Sequence, residues 1–167
     1  MTATVALAQP PGRPLQLRPA VGLAVGTSTR LDESRGNHRN WLVSGVYEIP
    51  LSSDGWLRIE ASRTTLPIGS DEAHVSRISI GAGGLTSPAA PVSPYFGIGY
   101  GIYRASFEHG MASPWHGGVH FYGGAEWHLS DQLRVDAELG VHLLRSEDLD
   151  PGLLVPGDAV IRLKVGL

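Results

Sequence analysis

Residues 117–144 read GGVHFYGGAEWHLSDQLRVDAELGVHLL. Two alternating arms flank a tight polar turn, His128-Leu129-Ser130-Asp131-Gln132. On the first arm Val119, Phe121, Ala125 and Trp127 alternate with His120, Tyr122, Gly124 and Glu126. On the second, Leu133, Val135, Ala137, Leu139, Val141 and Leu143 alternate with Arg134, Asp136, Glu138, Gly140 and His142. A period of two places each set on its own face of a β-strand. The stretch therefore predicts a hairpin with strands over 117–127 and 133–144. Ordinary strands run about five or six residues; a tilted strand crossing a bilayer needs roughly nine to eleven.

The same pattern extends in both directions. Strands are predicted over 19–29, 40–49, 56–65, 74–85 and 95–107 before the hairpin, and over 158–167 after it. The count is eight, and no stretch carries a convincing helical period. The prolines beyond residue 18 fall at strand ends or in connections: Pro19, Pro50, Pro67, Pro88, Pro91, Pro94, Pro114, Pro151 and Pro156. Proline cannot donate to a ladder and avoids strand interiors, so its placement supports the strand map independently. Polar links around 30–39, 108–116 and 145–157 are long, whereas 50–55 and 128–132 are short. The Pro-rich link at 86–94 breaks the alternation.

Composition narrows the function classes. The chain has 167 residues, enough for one domain, with 17% charged residues, 22 glycines and no cysteine. The missing thiols exclude disulfides, thiolate metal sites and a cysteine nucleophile. Net charge is −3 and the single lysine is Lys164. No basic stripe exists, and nucleic acid is not an expected partner. Residues 1–18 are expected to be a flexible leader or signal-peptide remnant, since Val5-Ala6-Leu7-Ala8 has the small-residue pattern of a cleavage site. The fold proper is assigned to 19–167.

Alternation alone does not say which face is buried. Three features put the polar face inside. First, much of that face is very small: Gly22, Gly26, Gly81, Gly83, Gly97, Gly99 and Gly101. An eight-stranded barrel has an interior filled by few side chains. Second, its charges balance: Glu48, Glu60, Glu126, Asp136 and Glu138 against Arg58, Arg77, Arg134, Arg162 and Lys164. A paired lumen demands such balance, because a lone buried charge is costly. Third, Trp41, Tyr47, Trp56, Tyr95 and Trp127 gather near strand ends, as aromatic girdles do at membrane interfaces. The parity of Trp56 is wrong for the outward face, so a bulge or an inward ring is expected there. The expected fold class is thus all-β, an eight-stranded antiparallel up-and-down transmembrane β-barrel, with those ten charged residues as a lumen ion-pair network.

The segments YFGIGYGIYRASFE at 95–108, GGVHFYGGAEWHLSDQLRVDAELGVHLL at 117–144 and AVIRLKVGL at 159–167 resemble the small outer-membrane β-barrel family, the OmpA-like and OmpX-like eight-stranded barrels of Gram-negative bacteria. The resemblance covers about 19–167. It implies a cell-envelope protein of the bacterial outer membrane, grouped with the porin family yet with a plugged lumen. Its implied role is structural, adhesive or interaction-based, as a monomer. Its implied partners are outer-membrane lipid, lipopolysaccharide and the barrel-assembly machinery. Members usually end on an aromatic residue, where this chain has Leu167.

Two other function classes stand beside this one. Some outer-membrane barrels are lipid-modifying hydrolases, and Glu108, His109, Ser113 and His116 lie close together in sequence. A triad needs nucleophile, base and orienting group within hydrogen-bond reach, which spacing alone does not supply. A soluble lipocalin-like carrier is the second, marked by solubility without detergent. The seven histidines form no metal-ligand pattern, and neither a metal nor another cofactor is expected. Gly97-Ile98-Gly99-Tyr100-Gly101 is not followed by a helix and so fails as a nucleotide loop; close backbone approach explains it better.

The lipid-facing assignment of Val135, Leu139, Leu143, Ile161 and Leu163 has a measurable consequence. Leu139→Arg, near mid-strand, should cost about 2–4 kcal/mol, and Leu133→Arg, near the interface, about 0–1 kcal/mol. Equilibrium unfolding from lipid vesicles reads both, and equal costs would argue against a bilayer around this face.

Overall fold

The computed structural model describes residues 17–31, 40–68, 71–88, 90–107, 112–146 and 152–167. Its strands are β1 (Ala20–Arg30), β2 (Asn40–Pro50), β3 (Gly55–Ile68), β4 (Asp71–Leu85), β5 (Val92–Phe107), β6 (His116–His128), β7 (Leu133–Ser146), β8 (Gly152–Leu154) and β9 (Pro156–Gly166). Sequential strands pair antiparallel from β1 to β7, and β9 pairs with both β7 and β1. The three-residue β8 pairs with β7 just ahead of β9. The result is a closed, all-antiparallel, eight-stranded barrel, and the described residues contain no helix. Closure leaves no sheet edge, so every ladder group has a neighbour.

Pro19 and Leu167 meet at one rim. The Leu167 amide donates to Pro19 O at 2.8 Å, and the Gly166 amide donates to Gln132 O at 2.7 Å. The connections 51–54, 86–91 and 129–132 turn at this rim. Ser130 Oγ accepts from the Leu133 amide at 3.0 Å, and Ser52 Oγ accepts from the Gly55 amide at 2.9 Å. These are side-chain turns of the kind Ser and Asp favour. The strand ends Arg30, Asn40, Ile68, Asp71, Phe107, His116 and Ser146 lie at the opposite rim. The polar link predicted at 30–39 falls outside the described residues from 32 onward.

Several boundaries differ from the sequence expectation. The β3–β4 pairing runs on to Ile68 and Asp71. β5 starts at Val92, so Pro94 lies inside a strand, and Pro67 lies inside β3. Both sit within three residues of a strand end, where a missing donor is tolerated. Leu17, in the segment expected to be a leader, packs against the buried cluster of Trp56, Leu85, Tyr95 and Tyr122 at the terminal rim.

The inward face is shaped by small residues. β1 presents Ala20, Gly22 and Ala24 to the bore beside Lys164 and Arg162 of β9. A Cβ on Gly22 would come within 2.7 Å of Lys164 Cγ. The small wall of β1 thus leaves room in the bore for the long side chains of Arg162 and Lys164. On the other side Gly97 faces Tyr122, and Gly99 faces His120, across β5–β6. The Tyr122 and His120 rings lie directly over these glycines, as aromatics cover bare backbone in designed barrels. Gly97→Val should therefore drive into the Tyr122 ring and cost about 1–3 kcal/mol. Gly45→Ala, whose Cβ meets nothing within 4 Å, should stay within about 0.5 kcal/mol; urea midpoints compare the two.

Candidate functional site

The polarity of a soluble protein is inverted here. Outward, Leu23 is 74% exposed, Phe96 68%, Leu139 69% and Ile161 62%. Inward, all ten charged residues picked out by parity are buried. The structure brings all ten into one connected set running along the bore.

At the terminal end, Lys164 Nζ lies 2.9 Å from Asp136 Oδ2 and 3.1 Å from Glu48 Oε2, and also contacts Glu126. Arg134 reaches Glu126 at 3.3 Å and Glu48 at 3.7 Å. Arg58 bonds Glu48 at 3.0 Å and Glu138 more closely. Arg162 is the hub, with Asp136 at 3.0 Å, Glu138 at 3.1 Å and Glu60 at 3.3 Å. Arg77 continues the chain to Glu60 at 2.9 Å and Asp158 at 2.8 Å.

The pairing is only partly rung by rung: Glu48 faces Arg58 across β2–β3 and Asp136 faces Arg162 across β7–β9, while other contacts skip rungs. Arg134 faces Lys164 across β7–β9, and Glu126 faces Asp136 across β6–β7. Directly opposed like charges are unfavourable, so the contacts of Arg134, Lys164 and Glu126 run diagonally. Lys164 reaches past its own rung to carboxylates on β2, β6 and β7. Such reach needs the long stems of Arg and Lys and the bare β1 wall.

Several residues in the bore were not among the ten. Asp158 accepts from Ser28 Oγ at 2.6 Å and lies 2.8 Å from His142 Nε2. Tyr103 Oη lies 3.0 Å from His142 Nδ1. Tyr95 Oη donates to Glu138 at 2.9 Å, and the Arg58 guanidinium sits 4.6 Å from the Tyr122 ring centroid. Parity does mark these positions: Asp158 shares its face with Arg162 and Lys164, and His142 with Glu138. Their side chains lack a permanent charge or lie at a strand edge, which hid them in a search for charge balance.

The aromatic assignment needs a correction. Trp41, Tyr47 and Trp127 point outward at 78%, 38% and 38% exposure, but Trp56 and Tyr95 are only 2% and 4% exposed. Those two form a buried inward cluster with Leu85 and Tyr122, at an edge-on centroid distance of 5.6 Å between Trp56 and Tyr95. Trp56 is thus an inward ring without a bulge; its rung mate across β3–β4 is Gly83, which leaves it room. A second apolar cluster, Leu66, Ala73, Val75, Tyr103, Ala105 and Leu144, fills the bore at the loop end.

Of the four residues considered for hydrolysis, Glu108 and His109 lie outside the described residues. The Ser113 hydroxyl donates to Pro114 O at 2.8 Å and accepts from the Ala105 amide at 3.0 Å. It serves as a backbone brace at the β5–β6 rim. No group of three or more potential metal-ligating side chains occurs among the described residues.

Solved structures share this architecture. Neisserial surface protein A superposes with TM-score 0.76 at 15% identity, covering 89% of this chain and 97% of that one. The N-terminal β-barrel domain of OprF from Pseudomonas aeruginosa gives 0.62 at 10% identity, covering 90% and 98%. Ail, the attachment invasion locus protein of Yersinia pestis, crystallised with the heparin analogue sucrose octasulfate, gives 0.58 at 16% identity, covering 90% and 100%. These are small eight-stranded outer-membrane barrels, and at such identities the likeness is one of fold. No family model matches the chain, and no curated sequence matches it.

Glu138 contacts Arg58, Arg162 and Tyr95 together. Glu138→Ala leaves two buried guanidinium groups short of a counter-charge and should destabilise the barrel by about 3–5 kcal/mol. Glu72→Ala, at an exposed position, should change stability by less than about 0.5 kcal/mol. Urea unfolding in detergent compares the two.

Proposed function

We propose that this protein is an integral outer-membrane barrel of a Gram-negative cell envelope, non-conducting, and active through its loop rim. The observation that carries this reading is the inverted polarity. A fully charged network fills the bore, while the strands present an uncharged apolar belt outward. From Leu133 to Leu143 that belt is about 25 Å tall, at roughly 3.4 Å per residue and a tilt near 45°. A bilayer core matches such a belt, whereas water does not. A lipocalin-like carrier would need the opposite arrangement, an apolar cavity inside and charge outside.

Orientation follows from the rims. Short turns and both termini belong on the periplasmic side, and the longer connections outside. The solved neighbours, all outer-membrane proteins, support the same location. A monomer in contact with outer-membrane lipid and lipopolysaccharide, inserted by the barrel-assembly machinery, fits a closed barrel with no free edge. An adhesive or interaction role, of the kind the name of the attachment invasion locus protein describes, falls to the loop rim.

The bore is closed to ions by its contents. Apolar clusters around Trp56 and Leu144 cap the ion-pair network at either end, and an eight-stranded bore is just wide enough for side chains. In planar bilayers the refolded protein should give no steady single-channel current. A stable, large conductance would overturn the closed bore and favour a small porin.

A further inference from the structure

Charge on the outward face is confined to one level. On the described strands the outward-facing charged residues are Arg63, Glu72, Arg104 and Arg145, all toward the loop rim. Arg63 and Arg104 share a rung, since Arg63 pairs with Ser76 and Ser76 pairs with Arg104. The two arginines thus project side by side with a serine between them, about 10 Å apart at two strand spacings. The rung below is apolar, Ala61, Ile78 and Ile102. The rung above is Thr65, His74 and Ser106, with Thr65 Oγ1 3.1 Å from His74 Nδ1. The Arg104 guanidinium lies 6.0 Å from the centroid of Trp115, a half-exposed indole of the kind that marks a membrane interface.

Among the described residues, neither Arg63 nor Arg104 has an ion-pair partner. Glu72 stands four residues further along β4, beyond His74. Two guanidinium groups on one apolar wall repel each other, and neither meets a counter-charge among the described residues, the Trp115 ring beside Arg104 being uncharged. Guanidinium binds phosphate through two parallel hydrogen bonds. The spacing of two such groups, with hydroxyls and an imidazole between and above them, suits two separate phosphates on a hydroxyl-bearing head group.

We propose that Arg63 and Arg104, with Ser76, Thr65 and His74, form an outer-wall anion site for a phosphorylated glycolipid of the outer leaflet. The acyl chains would run down the strip of Ala61, Ile78, Ile80 and Ile102. The site rests on the outer-membrane reading above and adds to it a specific lipid position.

The test is native mass spectrometry of the refolded protein from detergent micelles containing diphosphoryl lipid A. Folding is first checked by heat-modifiable gel migration. R63Q/R104Q should keep the gel shift and bind lipid A about tenfold more weakly, for the loss of charge-assisted bonds at a partly hydrated surface. R145Q, on β7, should bind like the parent chain. Lipid A stripped of both phosphates should bind the parent chain as weakly as the intact lipid binds the double variant. Equal binding by the double variant or by the stripped lipid would overturn the site. Equal affinity for phosphatidylglycerol would overturn the glycolipid assignment in favour of a general anionic surface. Loss of the gel shift in the parent chain would overturn the outer-membrane reading itself.

Discussion

A charge taken out of water must meet a counter-charge, and the rest of this barrel is arranged around that demand. Stripping an ion of water costs several kcal/mol unless geometry restores the lost contacts. In this bore Arg162 meets three carboxylates and Lys164 meets three. A rung supplies only part of this set, Asp136 opposite Arg162, while neighbouring rungs oppose like charges at Arg134–Lys164 and Glu126–Asp136. The network exists only when all the strands are in place. It therefore favours one register and one closed ring over partial sheets.

Sterics follow from the electrostatics. Long cations cross the bore only if one wall is bare, and β1 supplies that wall with Ala20, Gly22 and Ala24. Glycines on β4 and β5 leave room for Tyr122 and His120, and Tyr122 in turn carries the Arg58 guanidinium on its face. The glycine content that makes the composition unusual is thus the space in which the ion network and its aromatic lids sit. With most strand charge held inside, the outer surface below the loop rim is left to Leu, Ile, Val and aromatic side chains, which suits hydrocarbon.

Most of this architecture is legible in the sequence, because a period of two is a direct statement about faces. Alternation at Arg134-Asp136-Glu138 against Val135-Ala137-Leu139 assigns inside and outside without knowledge of the partner strands. What alternation does not carry is distance along the barrel axis. Trp56 and Tyr95 sit near strand ends like interface aromatics, yet parity puts them inside, and only the three-dimensional cluster shows that they pack together with Leu85 and Tyr122. The diagonal contacts of Arg134, Lys164 and Glu126 are likewise not legible, since they depend on stagger between strands. His142 and Asp158 escaped because charge balance was sought among permanent charges in strand middles. The prolines at 67 and 94 shortened the expected strands, for a missing donor near a rim costs less than one in mid-ladder.

The central claim is that one face of every long strand meets hydrocarbon and the other meets only protein. Tryptophan quenching by lipids brominated along their acyl chains tests it directly, using variants that retain Trp127 alone or Trp56 alone. The two residues belong to the same end of the barrel but to opposite faces. In vesicles of brominated lipid, the outward Trp127 should be strongly quenched and the enclosed Trp56 nearly untouched. Equal quenching of the two, or quenching of Trp56 alone, would contradict the inside-out assignment on which the barrel's chemistry rests.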